Sequence, residues 1–422
     1  MLNTISIIGL GYIGLPTATL LASRRIRVIG VDISPYVVDT INRGNIHIIE
    51  PELDILVQAA VGAGYLRATT QAEPADAFLI AVPTPLTTDH RPDLSYIESA
   101  ARSIAPVLAK GNLIILESTS PVGTTEQLAN WLTEIRPDLS FPQQAGDESD
   151  IRIAYCPERV LPGHIVHELV TNDRVIGGIT AKCSEAAIAV YKLFVQGECV
   201  VTSVRTAEMC KLTENSFRDV NIAFANELSV ICDKQNINVW ELIKLANRHP
   251  RVNILQPGCG VGGHCIAIDP WFIVEGSPED AKLIRIARNV NDAKPDWVVN
   301  KVSQTIAELT ATGTAEEDIH IACLGITFKP DIDDLRESPA LEIVQTLLQR
   351  PGRKIAIVEP NLQFLPEDLK NDRTILLTLS EAISWANIIV LLVDHSEFKR
   401  AKLKLNNSQR LIDTRGIWKE TI

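Results

Sequence analysis

The chain has 422 residues, of which 46% are hydrophobic and 22% are charged, and its formal net charge is −12. This length predicts two or three domains, because one hydrophobic core rarely serves so long a chain. Nucleic-acid-binding proteins are more often basic, so the acidic balance argues against a nucleic acid as partner. The acidic balance does not exclude a phosphorylated small molecule, because a few local amides and cations can bind one.

Eight cysteines are scattered along the chain without a CxxC pair. This distribution argues against a zinc site and a disulfide framework, and it is typical of proteins in a reducing compartment. No basic leader precedes the first predicted strand, and no run approaches 18 apolar residues. We therefore expect a cytoplasmic protein with no metal ion and no membrane partner.

The N-terminal part of the chain alternates between buried strands and helices. Residues 3–33 predict a strand, a glycine turn, a helix and a second strand. Short apolar runs then recur at 77–83, 112–119 and 151–158, with helical stretches between them. This alternation predicts a doubly wound parallel sheet, and we assign residues 1–200 to the first domain.

A glycine motif follows the first predicted strand, at Gly9, Gly11 and Gly14, and opens a helix. The first glycine permits a tight turn, the second lets the backbone approach a pyrophosphate, and the third lets the helix pack on the strand. Asp32 ends the next strand, where a carboxylate accepts hydrogen bonds from a ribose and repels a 2′-phosphate. The motif therefore predicts NAD rather than NADP, although arginines precede that strand at positions 24, 25 and 27.

The middle of the chain has a different pattern. The pattern changes from Thr202 onward, and residues 206–235 carry apolar side chains at helical spacing without Pro or Gly. A later helix is predicted near 279–309. We expect a helical domain at 201–312, built on one long helix that serves as an interdomain spine or as a dimer face.

Strand and helix alternate again towards the C-terminus. Further parallel strands are predicted at 320–329, 354–360, 374–379 and 387–394, in a smaller domain at 313–422. The predicted fold class is thus α/β, with two Rossmann-like doubly wound parallel-sheet domains joined by a helical connector.

The segment GGHCIAID at 262–269 places Cys265 on a glycine-bearing loop, with Asp269 four residues later. A thiol can trap an aldehyde and let a second oxidation follow the first. A lone cysteine is more often a buried structural residue. The dinucleotide motif at the start of the chain nevertheless favours covalent redox catalysis.

These motifs together resemble the UDP-glucose/GDP-mannose dehydrogenase family along essentially the whole chain. The matching segments are GLGYIGLP, VDI, VPTP, ESTSPVG, CPERVLPG, EMCKLTENSFRDVNIAFANE, GVGGHCIAIDP and GITFKPDIDDLRESP. Within the family, PERVLPG, NRHPRVNILQPG and GGHCIAIDPWF are most similar to bacterial enzymes that oxidise UDP-N-acetyl-D-mannosamine at C6. The resemblance implies an NAD-binding domain, a helical connector that forms a homodimer, and a C-terminal domain that binds the UDP-sugar.

The resemblance also implies a four-electron oxidation that consumes two NAD and converts the C6 alcohol of the sugar to a carboxylate. Cys265 would form a thiohemiacetal and then a thioester. Lys211 and Asn215, four residues apart on the long helix, would stabilise the alkoxide and oxyanion. Glu158 would activate the water that hydrolyses the thioester, and Thr119 and Asp269 would orient that water.

Binding residues follow from the same resemblance. Those implied for NAD are Gly9, Gly11, Tyr12, Ile13, Gly14, Asp32, Pro83, Thr84, Thr119 and Arg336. Those implied for the UDP-sugar are Arg159, Val160, Lys211, Asn215, Arg251, Asn253, Gly262, Gly263 and Lys329. Arg251 would reach the substrate across the dimer, and the two glycines would let the backbone approach the sugar.

Two departures weaken an assignment to UDP-glucose but leave the covalent chemistry intact. Ile268 stands where many UDP-glucose enzymes have lysine, and Pro162 stands where they often have a second glutamate.

The same chemistry on UDP-GlcNAc, UDP-GalNAc or UDP-glucose remains an alternative. A two-electron hydroxy-acid dehydrogenase and a non-catalytic protein that binds NAD are alternatives of other classes. The resemblance places the product in the synthesis of cell-surface polysaccharide.

Overall fold

The computed structural model describes residues 2–161, 163–350 and 352–418. The chain divides into two compact units. The first contains the chain up to Glu214 together with Trp271–Gly276, and the second contains Asn215–Pro270 and the chain from Ser277 onward. The change from one unit to the other thus falls inside the long helix, and the predicted boundaries at 200 and 312 stay a prediction.

The described residues of the first unit contain an eight-stranded sheet in the order β3-β2-β1-β4-β5-β6-β7-β8. Its strands are β1 (Thr4–Ile8), β2 (Arg27–Val31), β3 (Leu66–Thr69), β4 (Ala77–Ile80), β5 (Leu113–Leu116), β6 (Arg152–Tyr155), β7 (Arg174–Gly178) and β8 (Cys199–Ser203). Neighbouring strands are parallel except for β6 and β7, which pair antiparallel.

Helices cover both faces of this sheet. They are α1 (Gly14–Ser23), α2 (Pro35–Asn42), α3 (Leu53–Gly62), α4 (Ser95–Ile104), α5 (Thr124–Ile135), α6 (Pro142–Ala145), α7 (Ile165–Thr171) and α8 (Ala181–Tyr191). Side chains alternate between the faces along each strand, so Ile7 of β1 belongs to the cluster beneath α1, whereas Ile8 belongs to the cluster beneath α4 and α5. The doubly wound prediction is confirmed for this unit.

The helix that follows the first sheet is α9 (Val204–Lys234), 31 residues long, close to the range that its apolar spacing predicts. The next helices are α10 (Val239–Ala246), α11 (Asp269–Gly276), α12 (Lys282–Asp292) and α13 (Lys294–Ala311). The single helix predicted near 279–309 is wrong, because α12 ends at Asp292 and Pro295 lies in the first turn of α13. Proline is well tolerated in a first helical turn but disrupts a helix interior.

A five-stranded sheet in the order β11-β10-β9-β12-β13 forms the C-terminal part of the second unit, within the residues described. Its strands are β9 (His320–Leu324), β10 (Lys354–Val358), β11 (Thr374–Leu376), β12 (Ile388–Leu391) and β13 (Arg410–Asp413), and all of its neighbouring strands are parallel. The remaining helices are α14 (Pro339–Leu348), α15 (Leu379–Trp385) and α16 (Ser396–Arg400). Apolar clusters again lie on both faces, one with α13 and α14 and the other with α15 and α16.

Four of the described strands were not predicted from the sequence, and their burial and composition explain why. The edge strand β8 is mostly exposed, and β3 alternates between buried and more exposed residues, so neither presents a buried apolar run. Strand β7 ends in two glycines, and β13 is only partly buried.

Buried charges connect α9 to α12. Arg288 Nη1 lies 2.6 Å from Asp219 Oδ1, and both side chains are almost fully buried. Asn291 Nδ2 also donates to Asp219 Oδ1, at 2.8 Å. Burial raises the pKa of Asp219, although Arg288 and Asn291 act in the opposite direction. Removal of one partner from such a buried pair is costly, so this network fixes the packing of the two helices.

None of the helices among the described residues combines the length and apolarity that a membrane span requires.

Candidate active site

The glycine motif forms a tight cradle between β1 and α1. Gly9 has a φ of +92°, and its N–H donates to Val31 O at 2.8 Å. A Cβ on Gly14 would lie 1.8 Å from Gly9 O, whereas a Cβ on Gly11 would meet no atom within 4 Å. Gly14 is therefore required for packing of the helix, and Gly11 borders open space.

The surroundings of this cradle fit an anionic dinucleotide. The N-cap residue of α1 is Ile13, whose side chain accepts no hydrogen bond, so no cap competes with an anion for the amides of the turn. Asp32 accepts hydrogen bonds from Leu10 N at 3.0 Å and from Ser34 N at 2.9 Å. These two bonds fix the carboxylate beside the turn, and each of its oxygens keeps a lone pair for a ribose hydroxyl.

Other residues implied for the cofactor lie at the carboxyl ends of neighbouring strands. Thr84 follows β4 and Thr119 follows β5. No described residue hydrogen-bonds the buried Oγ1 of Thr84, as is suitable for a group that contacts a ligand. Tyr12 is exposed at the turn and Pro83 directly precedes Thr84.

Glu158 follows β6 and is held in a buried ion pair. Its Oε2 lies 2.5 Å from Arg174 Nη1, and its Oε1 accepts from the backbone N–H of Arg159 at 2.8 Å. Burial alone lowers the pKa of Arg174, but the acidic groups around it, Glu158 first among them, hold that pKa above its ordinary value. Both side chains of this ion pair are buried, so Glu158 does not belong to a surface ion pair.

A second buried carboxyl group, Glu117, lies at the end of the neighbouring strand β5. Tyr191 Oη donates to Glu117 Oε1 at 2.7 Å. Burial and the nearby charge of Glu158 raise the pKa of Glu117 to about 7, although Tyr191 and Arg174 lower it. Glu117 begins the ESTSPVG segment, yet neither it nor Arg174 nor Tyr191 is among the site residues predicted from the sequence.

The substrate residues implied within the first unit are partly buried, and one of them, Arg159, forms an ion pair. Arg159 Nη2 lies 2.6 Å from Glu214 Oε1, and Arg159 Nε donates to Glu214 Oε2 at 3.2 Å. Val160, next in the chain, and Lys211, three residues before Glu214, are also partly buried.

In the second unit, Cys265 is exposed on a turn that leads into α11. Its carbonyl oxygen accepts from the N–H groups of Ile268 at 3.1 Å and Asp269 at 2.9 Å. Asp269 Oδ2 accepts from Asn215 Nδ2 at 2.6 Å, with both side chains buried. The structure thus brings two of the predicted catalytic residues into direct contact, directly after the turn that carries the thiol.

Gly262 and Gly263 are required by protein contacts. A Cβ on Gly262 would lie 2.1 Å from Glu337 O, and a Cβ on Gly263, whose φ is +84°, would lie 2.7 Å from the ring of Phe328. Close contacts within the chain therefore explain both glycines, which had been expected to let the backbone approach the sugar.

The other binding residues of the second unit lie on its surface loops. Arg251 and Asn253 are exposed, and Lys329 is partly buried. Arg336 donates to both carboxylate oxygens of Asp334, at 2.9 and 2.7 Å. The departure at Pro162 lies outside the described residues. Within the described ranges, no group of three or more His, Cys, Asp and Glu side chains is arranged to hold a metal ion.

Comparison with known proteins identifies the family. Residues 3–195 match the NAD binding domain of the UDP-glucose/GDP-mannose dehydrogenase family, residues 205–293 match its central domain, and residues 322–420 match its UDP binding domain. The chain belongs to this family. The dehydrogenase is accordingly an NAD-dependent oxidoreductase with a UDP-binding domain, and the predicted family, enzyme class and cofactor are confirmed.

Several relatives of the dehydrogenase resemble it over nearly their full length. It is 64% identical to an NDP-N-acetyl-D-galactosaminuronic acid dehydrogenase of Ralstonia nicotianae, over 99% of this chain and 96% of the relative. It is 62% identical to the UDP-N-acetyl-D-mannosamine dehydrogenase of Escherichia coli K12, over 99% of each chain. The solved UDP-D-ManNAc dehydrogenase of Pyrococcus horikoshii is 39% identical and superposes with a TM-score of 0.86, covering 99% of this chain and 96% of that one.

Substitutions of Gly14 and Gly11 test helix packing and cofactor binding separately. Gly14→Ala should lower the melting temperature and weaken NAD binding, because its Cβ would collide with Gly9 O and displace α1. Gly11→Ala should change the free energy of unfolding by no more than about 0.5 kcal/mol. It should nevertheless weaken NAD binding, because its methyl group occupies the open space of the cradle. Thermal unfolding and calorimetric titration with NAD measure both effects. Wild-type NAD affinity in Gly11→Ala would show that the pyrophosphate does not approach there.

Proposed function

We propose that this dehydrogenase oxidises the C6 hydroxyl of UDP-N-acetyl-D-mannosamine to a carboxylate, through a covalent intermediate on Cys265. The observation that carries the proposal is the exposed Cys265 on a turn that ends at the Asn215–Asp269 hydrogen bond. A two-electron alcohol dehydrogenase has no use for this nucleophile, whereas a four-electron oxidation requires one.

NAD, when bound, accepts a hydride in each of the two oxidations. The first oxidation leaves an aldehyde at C6, and the Cys265 thiolate adds to its carbonyl carbon to form a thiohemiacetal. Loss of the second hydride from this carbon leaves a thioester on Sγ. Water then attacks the thioester carbonyl, and the carboxylate and the Cys265 thiol are released.

Asn215 stabilises the oxyanion of these intermediates. A carboxylate accepts but does not donate, so Asp269 fixes the amide with its nitrogen towards Oδ2. The second N–H of Asn215 is thereby oriented and can donate to the oxygen on which charge develops. Lys211 lies one helical turn earlier on the same face of α9 and supplies a positive charge to the same oxygen.

Glu158 acts as the base for the water that attacks the thioester. Its carboxylate is held by Arg174 on one oxygen and by a backbone N–H on the other, so its position is well defined. Thr119 and Asp269 orient the water. A base fixed in this way loses little entropy in the transition state.

Two kinds of relative bear on the identity of the sugar. UDP-N-acetyl-D-mannosamine is favoured by the relatives from Escherichia coli and Pyrococcus horikoshii. UDP-N-acetyl-D-galactosamine is the second candidate, because the Ralstonia relatives at 64% and 63% identity are named for the galactosaminuronic product. Ile268, in place of a lysine common in UDP-glucose enzymes, argues against UDP-glucose.

The decisive experiment is to measure NADH released per sugar consumed, with UDP-ManNAc, UDP-GalNAc, UDP-GlcNAc and UDP-glucose offered separately. We expect two NADH per UDP-ManNAc and little turnover of the others. Two NADH per molecule of another sugar would retain the mechanism and reassign the substrate. One NADH per sugar would contradict the four-electron reaction, and none would contradict the assignment as a UDP-sugar dehydrogenase of this group.

Cys265→Ser tests the covalent step. The serine hydroxyl is a far weaker nucleophile, so carboxylate formation should fall by at least about a thousandfold, the scale seen when a nucleophile is removed. NAD binding should persist. Cys199→Ser is a matched control, since Cys199 is a partly exposed thiol on β8 whose pKa is raised by burial. A Cys265→Ser enzyme that makes carboxylate at the wild-type rate would refute the covalent scheme.

We also infer a homodimer that forms through α9. Phe217, Phe224 and Ile231 are separated by seven residues, so they lie along one side of the helix, and their exposed fractions are 68%, 51% and 43%. A pocket of about 310 Å³ adjoins the end of this row, lined in part by Ile231, Val290 and Trp297. An exposed apolar row of this length is typical of an interface.

Charged substitutions on α9 should separate the subunits. Phe217→Asp with Phe224→Asp should convert the dimer to a monomer, measured by light scattering, because burial of two carboxylates at an apolar interface is unfavourable. Phe364→Asp is the control, since Phe364 is exposed in the C-terminal sheet domain. A doubly substituted protein that remained dimeric would show that α9 is not the interface.

We propose a cytoplasmic location and a role in supplying polysaccharide precursors. A nucleophilic thiol must stay reduced to function, and a cytosolic thiol pool maintains it in that form. Fractionation of cells that express the tagged enzyme tests this location.

A further inference from the structure

Two buried carboxyl groups lie side by side at the carboxyl ends of β5 and β6. These strands pair in parallel, and Cys156 N continues the ladder by donating to Leu116 O at 3.0 Å. Glu117 directly follows Leu116, and Glu158 lies two residues after Cys156. Their exposed fractions are 3% and 7%. Two carboxylates that close repel each other when both are ionised.

Among the described residues, the guanidinium that pairs with this site is that of Arg174. Arg174, the first residue of β7, contacts Glu158 through Nη1 and donates through Nη2 to Leu169 O at 3.0 Å. It also lies 5.3 Å from the ring centroid of Tyr191, whose hydroxyl donates to Glu117. In the described part of the chain, no group donates a hydrogen bond to Glu117 Oε2. The site therefore contains more acid than Arg174 can neutralise.

Three groups near Glu117, namely Cys156, Tyr191 and Arg174, keep their charge state near neutral pH. Burial raises the pKa of the Cys156 thiol to about 12, and burial also raises the pKa of Tyr191 well above its ordinary value. The Arg174 guanidinium stays protonated. Glu117 is therefore the member of this group that changes charge near pH 7.

We propose that Glu117 is a positioning residue that controls the basicity of Glu158 in the hydrolytic step, an inference that rests on the proposed function. When Glu117 is neutral, the positive charge of Arg174 interacts with the negative charge of Glu158 alone. Ionised Glu117, having released its proton to solvent, places a second negative charge beside Glu158 and makes it a stronger base.

The direction of the pH effect follows from these charges. Glu117 is neutral below about pH 7 and ionised above it. Hydrolysis of the thioester should therefore accelerate by about three- to tenfold as the pH rises through 7, because a second negative charge beside Glu158 favours transfer of a proton to it.

Glu117→Gln isolates the charge from the structure around it. The glutamine carbonyl oxygen still accepts the hydrogen bond from Tyr191, but the side chain cannot ionise. Tyr191→Phe makes the opposite change: Glu117 still ionises but loses the hydrogen bond that favours its charged form. The titration should disappear in the first variant and move to higher pH in the second.

The titration is measured first in the substrate-free enzyme by infrared difference spectroscopy. A carboxylic acid C=O band that is present in the wild type and absent in Glu117→Gln should be lost with a midpoint near pH 7. Tyr191→Phe should shift this midpoint upwards. A wild-type enzyme without such a band at pH 6 would overturn the proposal before any kinetics are measured.

The effect on Glu158 is measured by the decay of the Cys265 adduct. Samples quenched during turnover with UDP-ManNAc, or with whichever sugar releases two NADH, are analysed by intact-protein mass spectrometry. At about pH 8 the adduct should decay about three- to tenfold more slowly in Glu117→Gln than in the wild type, and at about pH 6 the two rates should agree. Tyr191→Phe should show the acceleration at higher pH.

Glu208→Gln is the matched control for loss of a buried carboxylate. Glu208 is buried on α9 and accepts from the N–H groups of Gly123 and Thr125, whereas Arg174 donates to Glu158 and to Leu169 O. The Glu208→Gln variant should have a lower melting temperature than the wild type but the same pH profile of adduct decay. Equal pH profiles in the wild type and Glu117→Gln would overturn the role of Glu117, whereas absence of any adduct in the wild type would overturn the covalent mechanism itself. If Glu117→Gln does not fold, an unshifted pH profile in Tyr191→Phe would overturn the proposal.

Discussion

The carboxyl ends of parallel strands meet at one edge of a sheet, and most of the proposed chemistry of the first unit depends on this constraint. Strands β1, β4, β5 and β6 are neighbours in that order, so the segments that follow them share the edge. The glycine cradle, Thr84, Thr119 and Glu158 belong to these segments. Residues separated by up to 150 positions in the chain therefore become neighbours without any long irregular loop.

The second unit has the same strand order and the same type of turn after its first strand, with different side chains. Its strand order, β11-β10-β9-β12-β13, corresponds to the first five strands of the larger sheet. Gly325 N donates to Val358 O at 2.8 Å, as Gly9 N does to Val31 O. Glu359 Oε2 then accepts from Ile326 N at 2.8 Å, which matches the bond from Leu10 N to Asp32. The same backbone turn, held by an acidic residue that follows the neighbouring strand, thus occurs in both sheets of this chain.

The sequence predicted best those features that one strand, one helix or one loop carries alone. The cradle at Gly9–Gly14, the long helix and the exposed thiol of Cys265 are of this kind. The buried partners of Glu158 and Glu117 could not be found in this way. Arg174 reaches Glu158 only through the pairing of β6 with β7, and Tyr191 reaches Glu117 only through the packing of α8. An arginine that begins a strand and a tyrosine that ends a helix carry no signal on their own. The antiparallel β6–β7 pair escaped for the same reason, since the direction of a strand depends on the path of the chain between strands.

Glycines show how a correct position can have an incomplete explanation. Gly262 and Gly263 lie in a motif that was assigned to substrate binding, and contacts with Glu337 O and the Phe328 ring already exclude a side chain at both positions. A glycine can meet both demands, since a chain that approaches itself closely also exposes its backbone to a ligand.

The burial of the cysteines has a consequence for how the enzyme responds to its chemical surroundings. Cys156, Cys183, Cys232, Cys259 and Cys323 are buried, Cys199 and Cys210 are partly buried, and Cys265 is exposed. An electrophile or peroxide therefore reaches Cys265 in preference to the others. A sulfenic acid at this position is no longer a nucleophile, and a small thiol can restore it, whereas further oxidation to the sulfinic acid is irreversible. In the proposed mechanism, oxidation of Cys265 would therefore stop formation of the carboxylate until a thiol restored the side chain.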